Sequence, residues 1–435
     1  MQIQLVSHAS VLIKTADAQI WTDPWLVSKV FNDSWTMHPP PAFDEAVCRD
    51  TDYLWISHEH PDHFNVPTLK ALPAEFKERV TVLFQKKNTA KIFDALRQFG
   101  FRHFRELPNR QTVALTEGTS VYCYQVGVMD SILAVTGGGR TVLNVNDAKI
   151  NKKDCRLILS DIKRVDVHLN QFSLAGYNGY VNYRERLPGY AREDIVNLVA
   201  NHNDLGAKVT IPFASFVYFS CTDNKYVNEF ANKPADVCQS FGDECVILYP
   251  GDTYDTEQPY DSRPALHRFA EAYRALDQLE YDEPKRIEMA EIKAAFDKLA
   301  AQLHQRFPRM LLALLRPVTV RIPDLDAAAV RFSVASGAFE EVPDVTAETD
   351  LIVNSQPLHF AFKFPYGFQT LGVSARFFIT RNFSNWRRHR ILFSLNNAEL
   401  YLRPGYFLRP DNLKYVVRRL AGGPNQLVAR LQRMK

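Results

Sequence analysis

The sequence lacks any apolar run long enough to cross a lipid bilayer. Its longest uninterrupted run, residues 310–315, is six residues long, whereas a spanning helix needs about 20. We therefore expect no membrane span. The first residues alternate like a β-strand and lack the basic and apolar regions of a leader peptide, which predicts a cytoplasmic protein.

Cysteine is also scarce, and a strong charge of either sign is absent. The six cysteines form no Cys-x-x-Cys pair and no regular framework, which is typical of reduced intracellular thiols. A net charge of +3 gives no reason to expect a nucleic-acid partner. The most basic segment, residues 381–390, is predicted to be a solvated surface strand or loop.

At 435 residues, the chain exceeds the usual size of a single core, so we expect more than one domain. Strand-like segments dominate residues 1–255, and apolar residues recur at helical spacing between 264 and 307. Residues 256–316 are therefore predicted to be a helical connector. Residues 317–435 are predicted to form an α+β domain that acts as a lid, a lipid-binding-like module or a homodimer interface.

Within the last region, residues 318–322 and 358–364 alternate between apolar and polar side chains, which predicts strands. Residues 411–420 and 425–434 have helix-like spacing.

The most informative segment is Ser57-His58-Glu59-His60-Pro61-Asp62-His63. It follows the apolar run 53–56, which predicts that the polar residues lie on a loop at the end of a buried strand. His58 and His60 are two positions apart, so in extended backbone their side chains would point to the same side and could bind one ion together. Pro61 then turns the chain, which leaves Asp62 and His63 free to face a second ion. The segment therefore predicts a site for two metals.

A carboxylate that could join these two metals is Asp147. It ends the apolar run 141–146, just as the histidine loop ends its own run. A carboxylate has two oxygens and can bridge two cations. The alternative interpretation is an aspartate that only forms a turn after a strand.

Several further segments occur along the chain in a recognisable order: His8-Ala9-Ser10, Asp23-Pro24-Trp25-Leu26, the histidine loop, the run that ends at Asp147, and Ile211-Pro212-Phe213-Ala214-Ser215-Phe216. With them, residues 1–255 resemble the metallo-β-lactamase superfamily. They are most similar to the metallo-β-lactamase-type domain of the CMP-N-acetylneuraminate hydroxylases. The resemblance implies an αββα sandwich with the metals at one edge of two facing sheets.

The resemblance also implies a ligand set and a cofactor. The implied metal ligands are His58, His60, Asp62 and His63, with Asp147 between the metals, and the two aspartates are the implied catalytic residues. The implied cofactor is iron, one or two ions per chain, with zinc as the alternative.

The chain departs from the family pattern at two places where a further histidine is expected. Gln125 lies near the first place, and Cys221 occupies the second. Because a thiolate binds zinc or iron, Cys221 is a candidate ligand. Three other outcomes remain open: Asp161, His168 or Asp130 completes the ligand set, one metal binds weakly, or the site has lost its chemistry.

Substrate in this superfamily binds over the metals, where loops from both sheets converge. The resulting candidates for the pocket wall are His8, Trp25, Trp35 and His38. The alternative for each of them is ordinary packing.

Three functions remain open at this point. The first is an iron-dependent oxygenase that hydroxylates or oxidises a small polar metabolite. The second is a dinuclear-metal hydrolase of a phosphoester, amide or ester, and the third is a binding protein with a degenerate site. The sequence favours the oxygenase. Because the chain has no Cys-x-His and Cys-x-x-His pattern for a Rieske cluster, electrons would come from a partner such as a ferredoxin, a Rieske protein or a reductase.

Overall fold

The computed structural model describes residues 1–87, 90–127, 129–326, 328–343, 348–397, 399 and 401. Its first sheet has seven strands in the spatial order β15-β1-β2-β3-β5-β6-β7. These strands are β1 (Gln2–Ser7), β2 (Ser10–Lys14), β3 (Gln19–Thr22), β5 (Tyr53–Ile56), β6 (Thr81–Gln85), β7 (His103–Leu107) and β15 (Thr253–Asp255).

The second sheet has six strands in the order β13-β12-β11-β10-β9-β8. They are β8 (Gln111–Ala114), β9 (Thr119–Val126), β10 (Asp130–Gly137), β11 (Arg140–Asn146), β12 (Val167–Gln171) and β13 (Val209–Phe213). A separate pair joins β4 (Trp35–Met37) to β14 (Val217–Phe219).

The two large sheets face each other across one apolar core. Residues of alternate orientation on both sheets, among them Leu5, Trp55, Leu133 and Leu169, belong to this core. Helices cover the outer face of each sheet. The helices of this region are α1 (Glu45–Asp50), α2 (Val66–Ala71), α3 (Ala74–Arg79), α4 (Lys91–Gln98), α5 (Lys152–Ile162), α6 (Tyr183–Leu205) and α7 (Pro234–Phe241), with 3₁₀ turns Lys225–Glu229, Gly242–Glu244 and Leu276–Gln278.

Two further apolar clusters show how these helices are held. One lies outside the first sheet and includes Leu69, Phe76 and Leu96 of α2, α3 and α4. The other lies outside the second sheet and includes Ile158 of α5 and Leu205 of α6. Burial of these apolar faces stabilises the layers. The predicted αββα sandwich is confirmed.

A third large sheet follows later in the chain. Its order is β18-β17-β16-β19-β20, with β16 (Val318–Ile322), β17 (Ala328–Ser333), β18 (Ala338–Val342), β19 (Leu351–Val353) and β20 (Phe377–Ile379). The helices here are α8 (Arg263–Arg274), α9 (Met289–Arg306), α10 (Arg309–Leu312), α11 (Ser355–Lys363), α12 (Gly367–Ser374) and α13 (Phe383–Asn397).

The two predicted connector helices pack on different cores. Phe269 of α8 joins the core between the two large sheets, whereas Phe296 of α9 joins the core of the third sheet. No helix among the described residues is both long enough and apolar enough to cross a membrane.

Two local predictions were wrong. Residues 358–364 were expected to form a strand, but α11 spans Ser355–Lys363. Its buried residues Leu358, Ala361 and Phe362 follow helical spacing as well as they follow alternation, and a short apolar run fits both. The basic segment 381–390 was expected to be a solvated strand or loop, but most of it lies in α13, where Trp386 and His389 are buried.

The predicted helices 411–420 and 425–434 lie outside the described residues.

The placement of α9 can be tested with Phe296. Its side chain is fully buried and its ring lies 5.2 to 5.5 Å from those of Phe332, Phe339 and Phe362. We expect Phe296→Ala to lower the free energy of unfolding by about 3–5 kcal/mol, measured by chemical denaturation. The control is Lys298→Ala on the exposed face of α9, which should change it by less than about 0.5 kcal/mol. Similar effects of both changes would show that α9 does not belong to this core.

Candidate metal centre

The direction of three strands in the first sheet determines where the site lies. β1 and β3 are each antiparallel to β2, and β3 is parallel to β5. All three therefore run the same way, and their carboxyl ends lie at one edge of the sheet. His8, Asp23 and Ser57 each come directly after one of these ends.

The second sheet contributes to the same edge. β11, β12 and β13 are mutually parallel, and Asp147 follows the end of β11. Ala214, which follows β13, donates its backbone N–H to the carbonyl of His8 at 2.8 Å. This hydrogen bond joins the edges of the two sheets at the site.

One group of nitrogen and oxygen atoms converges around His58. Its Nε2 lies 2.8 Å from Nδ1 of His60 and 3.7 Å from Oδ2 of Asp147. Two ring nitrogens at 2.8 Å need a proton or a cation between them, because two facing lone pairs repel. The residues here whose ligand atoms all lie close enough to hold one ion are His58, His63 and Asp147, whereas His60 contacts His58 but does not belong to that set. That His58 and His60 bind one ion together therefore stays a prediction.

A second group converges around Asp62. Its Oδ2 lies 3.4 Å from Nε2 of His8 and 3.5 Å from Nε2 of His63. The same Nε2 of His63 lies 3.7 Å from Oδ1 of Asp147. Asp147 thus directs one oxygen to each group, as the bridging interpretation requires.

The hydrogen bonds behind the histidines determine which ring nitrogens face the site. Nδ1 of His63 lies 2.9 Å from Oδ2 of Asp23, and the Ser57 hydroxyl donates to the same carboxylate at 2.7 Å. Nδ1 of His58 lies 3.0 Å from the Ser57 hydroxyl, which has already used its proton and must accept. Both histidines therefore carry a proton on Nδ1, so that Nε2 is the nitrogen that each directs at the site.

The charges of the site support one another despite deep burial. Burial lowers the pKa of His58 well below its usual range, so this imidazole is neutral. Burial also acts against a charged His63, but the carboxylates of Asp62, Asp147 and Asp23 outweigh it and raise the pKa of His63 to about 10. In return, His63 lowers the pKa of Asp62 in spite of burial. The carboxylates therefore create a strong preference for positive charge at this point.

A cation fits the polar atoms that have no other partner. Among the described residues, four buried atoms at the site lack a hydrogen-bond partner: His8 Nδ1, Asp62 Oδ1, His63 Nε2 and Asp147 Oδ1. Buried polar groups without partners are costly. A metal ion between His63 Nε2 and Asp147 Oδ1, which lie 3.7 Å apart, would satisfy both of these atoms. Imidazole with carboxylate is a donor set that iron and zinc both accept.

His8 lies where the sequence had suggested Cys221. It was expected in the pocket wall, but it belongs to the Asp62 and His63 group. Cys221 belongs to neither group among the described residues. Its thiol donates to the carbonyl of Asp33 at 3.3 Å, and burial raises its pKa to about 11, which makes a thiolate unfavourable. The structure therefore gives no support to Cys221 as a ligand.

The other proposed replacements also lie elsewhere. Gln125 donates its amide to the carbonyl of Lys86, and Asp161 pairs with Arg110. His168 is buried beside the Thr210 hydroxyl at 3.1 Å. Asp130 begins β10 and joins neither ligand group.

The remaining wall candidates divide into two kinds. The rings of Trp25 and Trp35 lie 5.4 and 6.4 Å from that of His8, so both tryptophans adjoin the site. His38 instead lies beside α8, with Nε2 3.1 Å from the carbonyl of Ala272 and its ring near Tyr218 and Tyr273. Whether the tryptophans contact substrate stays a prediction.

Sequence reasoning missed the roles of Asp23 and Phe31. Asp23 orients His63, and the ring of Phe31 lies 6.0 Å from that of His60. A signal for Asp23 was present, since it follows a strand end just as His8 and Ser57 do. No sequence pattern indicated Phe31.

The comparisons with known proteins concern mainly the first part of the chain. Residues 2–153 match the family model of the beta-lactamase superfamily domain, which confirms the resemblance drawn from the sequence for that region. The chain is 27% identical over 271 residues to a protein of Mycobacterium tuberculosis named as a Rieske 2Fe-2S iron-sulfur protein, covering 57% of this chain and 49% of that one.

The chain is also similar to a curated hydroxylase and to a solved hydrolase structure. The cytidine monophosphate-N-acetylneuraminic acid hydroxylase of Cricetulus griseus is 25% identical over 301 residues, covering 60% of this chain and 50% of that protein. An isothiocyanate hydrolase from Delia radicum gut bacteria is 14% identical with a TM-score of 0.43, covering 59% of this chain and 99% of that one. The chain spans about half the length of the curated relatives it matches.

Whether His8, and not Cys221, is a metal ligand can be tested directly. We expect His8→Ala to weaken binding of one metal by at least about 100-fold, the upper end of the effect of removing a residue behind a ligand. Cys221→Ser should leave metal stoichiometry and affinity unchanged. Isothermal titration with Zn²⁺ or Co²⁺ measures both. The reverse result would restore Cys221 as the ligand.

The orienting role of Asp23 gives a second test. Asp23→Asn keeps the size of the side chain but removes the charge that favours the Nδ1 proton of His63. We expect metal affinity to fall about 10- to 100-fold, measured by competition with a chelator. Ser160→Ala, on an exposed part of α5, serves as the control. Equal affinities for Asp23→Asn and this control would contradict the orienting role.

Proposed function

We propose that the protein is a metal-dependent oxygenase that hydroxylates or oxidises a small polar metabolite. The observation that carries this proposal is the group formed by His58, His63 and Asp147, in which Nε2 of each histidine lies 3.7 Å from one oxygen of Asp147. Two histidines and one carboxylate on one ion are typical of non-haem iron(II) oxygenases, and such a set leaves coordination positions open.

The second group gives the proposed centre room for another ion. His8, Asp62 and His63 supply two nitrogens and one oxygen, and Asp147 adds an oxygen from between the groups. We therefore propose one or two iron ions per chain. When bound, iron supplies the one-electron and oxygen chemistry that amino-acid side chains lack.

The protein's own residues prepare the site for this chemistry. Asp23 and Ser57 hold the Nδ1 protons of His63 and His58, so that each Nε2 stays available. Trp25, Trp35 and Phe31 are nearly or fully buried, and their rings exclude water from the backs of His8 and His60. A dry surrounding strengthens the electrostatic interactions of the carboxylates with a cation.

The source of electrons and the location are further parts of the proposal. The chain has no Cys and His pattern for a Rieske cluster, and all six cysteines are free. We propose that a ferredoxin, a Rieske protein or a reductase supplies electrons, and that the protein works in the cytoplasm. The relatives named as a Rieske protein and as a hydroxylase support an oxidation over other reactions.

A dinuclear hydrolase is the second candidate, and one observation favours it. Asp147 directs one oxygen towards His58 and the other towards His63, so it could bridge two metal ions. In two-metal hydrolases, two neighbouring ions hold the attacking and leaving oxygens of the reaction. Zinc accepts the same imidazole and carboxylate ligands.

The experiment that separates the two functions is metal analysis joined to a test of oxygen reactivity. Protein purified without added metal should contain roughly one or two irons per chain, and after reduction with dithionite it should consume O₂ and become reoxidised. Asp147→Asn should lose most of this reactivity, because it removes the charge shared by both groups. Exposed Asp94→Asn on α4 is the matched control.

Stoichiometric zinc without iron would contradict the oxygenase. Turnover of bis(p-nitrophenyl) phosphate by that zinc form, lost in Asp147→Asn, would establish hydrolysis instead.

A further inference from the structure

The turn Phe31-Asn32-Asp33 has an unusual backbone. Its three residues have φ values of 53°, 62° and 61°, in the left-handed region that residues with a Cβ rarely adopt in succession. Such a conformation persists only where surrounding contacts determine it. The contacts on the two sides of this turn therefore indicate which parts of the protein keep it in this conformation.

The inner side of the turn faces the proposed metal ligands. The ring of Phe31 lies 6.0 Å from that of His60, with its plane tilted by 71°, and 4.8 Å from that of Trp35. Trp35 in turn lies 6.4 Å from His8. One aromatic pair thus adjoins His8, a member of one ligand group, and His60, which contacts His58 of the other.

The outer side of the turn is held from the C-terminal region. Arg376, which immediately precedes β20, has a side chain with no exposed surface. Its Nη1 donates to the carbonyl of Asn32 at 2.9 Å, and its Nε donates to both oxygens of Asp223 at 2.8 and 3.0 Å. Its Nη2 donates to Gln356 Oε1 at 3.2 Å.

Three further hydrogen bonds lie at or beside the same turn. The Cys221 thiol and the Ser220 hydroxyl both donate to the carbonyl of Asp33 at 3.3 Å. The indole N–H of Trp35 donates to the carbonyl of Val373 at 3.1 Å. The 220–223 segment and the C-terminal region therefore enclose the turn together, with Arg376 bonded to both the turn and Asp223.

We infer that Arg376 is a positioning residue for the metal centre. It holds the Phe31-Asn32-Asp33 turn so that the ring of Phe31 restrains His60, although it contacts no ligand itself. This inference rests on the proposed metal centre. Its five N–H groups form a rigid planar fork that reaches Asn32, Asp223 and Gln356 from three separate nitrogens, whereas the three N–H groups of a lysine all lie on one nitrogen. A lysine would retain the charge opposite Asp223 and lose this geometry.

The test uses Co²⁺ as the probe, whose visible absorption reports the ligand geometry. We expect Arg376→Lys in the full chain to bind Co²⁺ about tenfold more weakly at one position, with an altered visible spectrum. Arg331→Lys, whose side chain pairs with Glu348 at the surface of the same region, is the matched control and should match the wild type. An unchanged affinity and spectrum for Arg376→Lys would overturn the inference.

A double-mutant cycle shows whether Arg376 acts through Phe31. Phe31→Leu removes the ring beside His60 but leaves Arg376 paired with Asp223, and it should itself weaken Co²⁺ binding. In that background, Arg376→Lys should have little further effect, since coupled residues are not additive. Fully additive effects would overturn the inference.

If Arg376→Lys does not fold, as judged by circular dichroism, Phe31→Leu alone decides: weaker Co²⁺ binding with an altered spectrum supports the inference, and wild-type binding overturns it. If the wild type binds no Co²⁺, Fe²⁺ or Zn²⁺, the proposed function itself fails. Wild-type binding with unaffected variants refutes the positioning role alone.

Discussion

The common direction of β1, β3 and β5 is the constraint on which the site depends. Because these strands run the same way, the residues that follow them meet at one edge although they are separated by up to 50 positions in the chain. His8, Asp23 and the histidine loop are neighbours for this reason alone. The second sheet brings Asp147 to the same edge by the same rule, and the hydrogen bond from Ala214 to His8 joins the two sheets there.

The site is electrostatically balanced for a cation. Three aspartates, Asp23, Asp62 and Asp147, lie close to imidazoles in a buried setting, where a charge without a partner is costly. Asp23 is the most deeply buried of them, and burial raises its pKa. Its hydrogen bonds to Ser57 and His63 compensate for part of that cost and give His63 its orientation. A stable and well-oriented ligand set thus depends on a residue that would not itself touch the metal.

The C-terminal region is joined to this site through a buried ion pair. A buried pair such as Arg376 and Asp223 adds little net stability, because desolvation offsets most of the attraction. The pair instead fixes geometry, because the guanidinium must lie where it can donate hydrogen bonds to Asp223 and to the carbonyl of Asn32 at the same time. The third sheet is therefore part of the surroundings of the candidate metal centre, in addition to the roles of lid, lipid-binding module or dimer interface expected from the sequence. Those three roles stay predictions.

The local part of the site could be predicted from sequence because it depends on neighbours in the chain. His58, His60, Asp62 and His63 lie within six positions of one loop, so the sequence predicts that their side chains lie close together, but not which of them share an ion. The αββα sandwich could also be predicted, because the order of motifs along residues 1–255 resembles the metallo-β-lactamase superfamily, which implies those layers. By contrast, residues 358–364 were misjudged because a short apolar run satisfies the spacing of a strand and of a helix equally well, and only its packing in the third core decides.

The distant part of the site depended on the tertiary structure. Cys221 was chosen as a ligand because it stood where a histidine was expected, yet its thiol bonds to Asp33, and His8 from the first hairpin joins Asp62 and His63 instead. Chain position could not distinguish these two residues, because contacts across roughly 50 residues or more depend on strand direction and sheet pairing. The sequence by itself predicted a metal-binding loop and the fold that carries it. Only the tertiary structure decided which other residues lie close enough to complete that candidate site, because packing sets the distances between side chains.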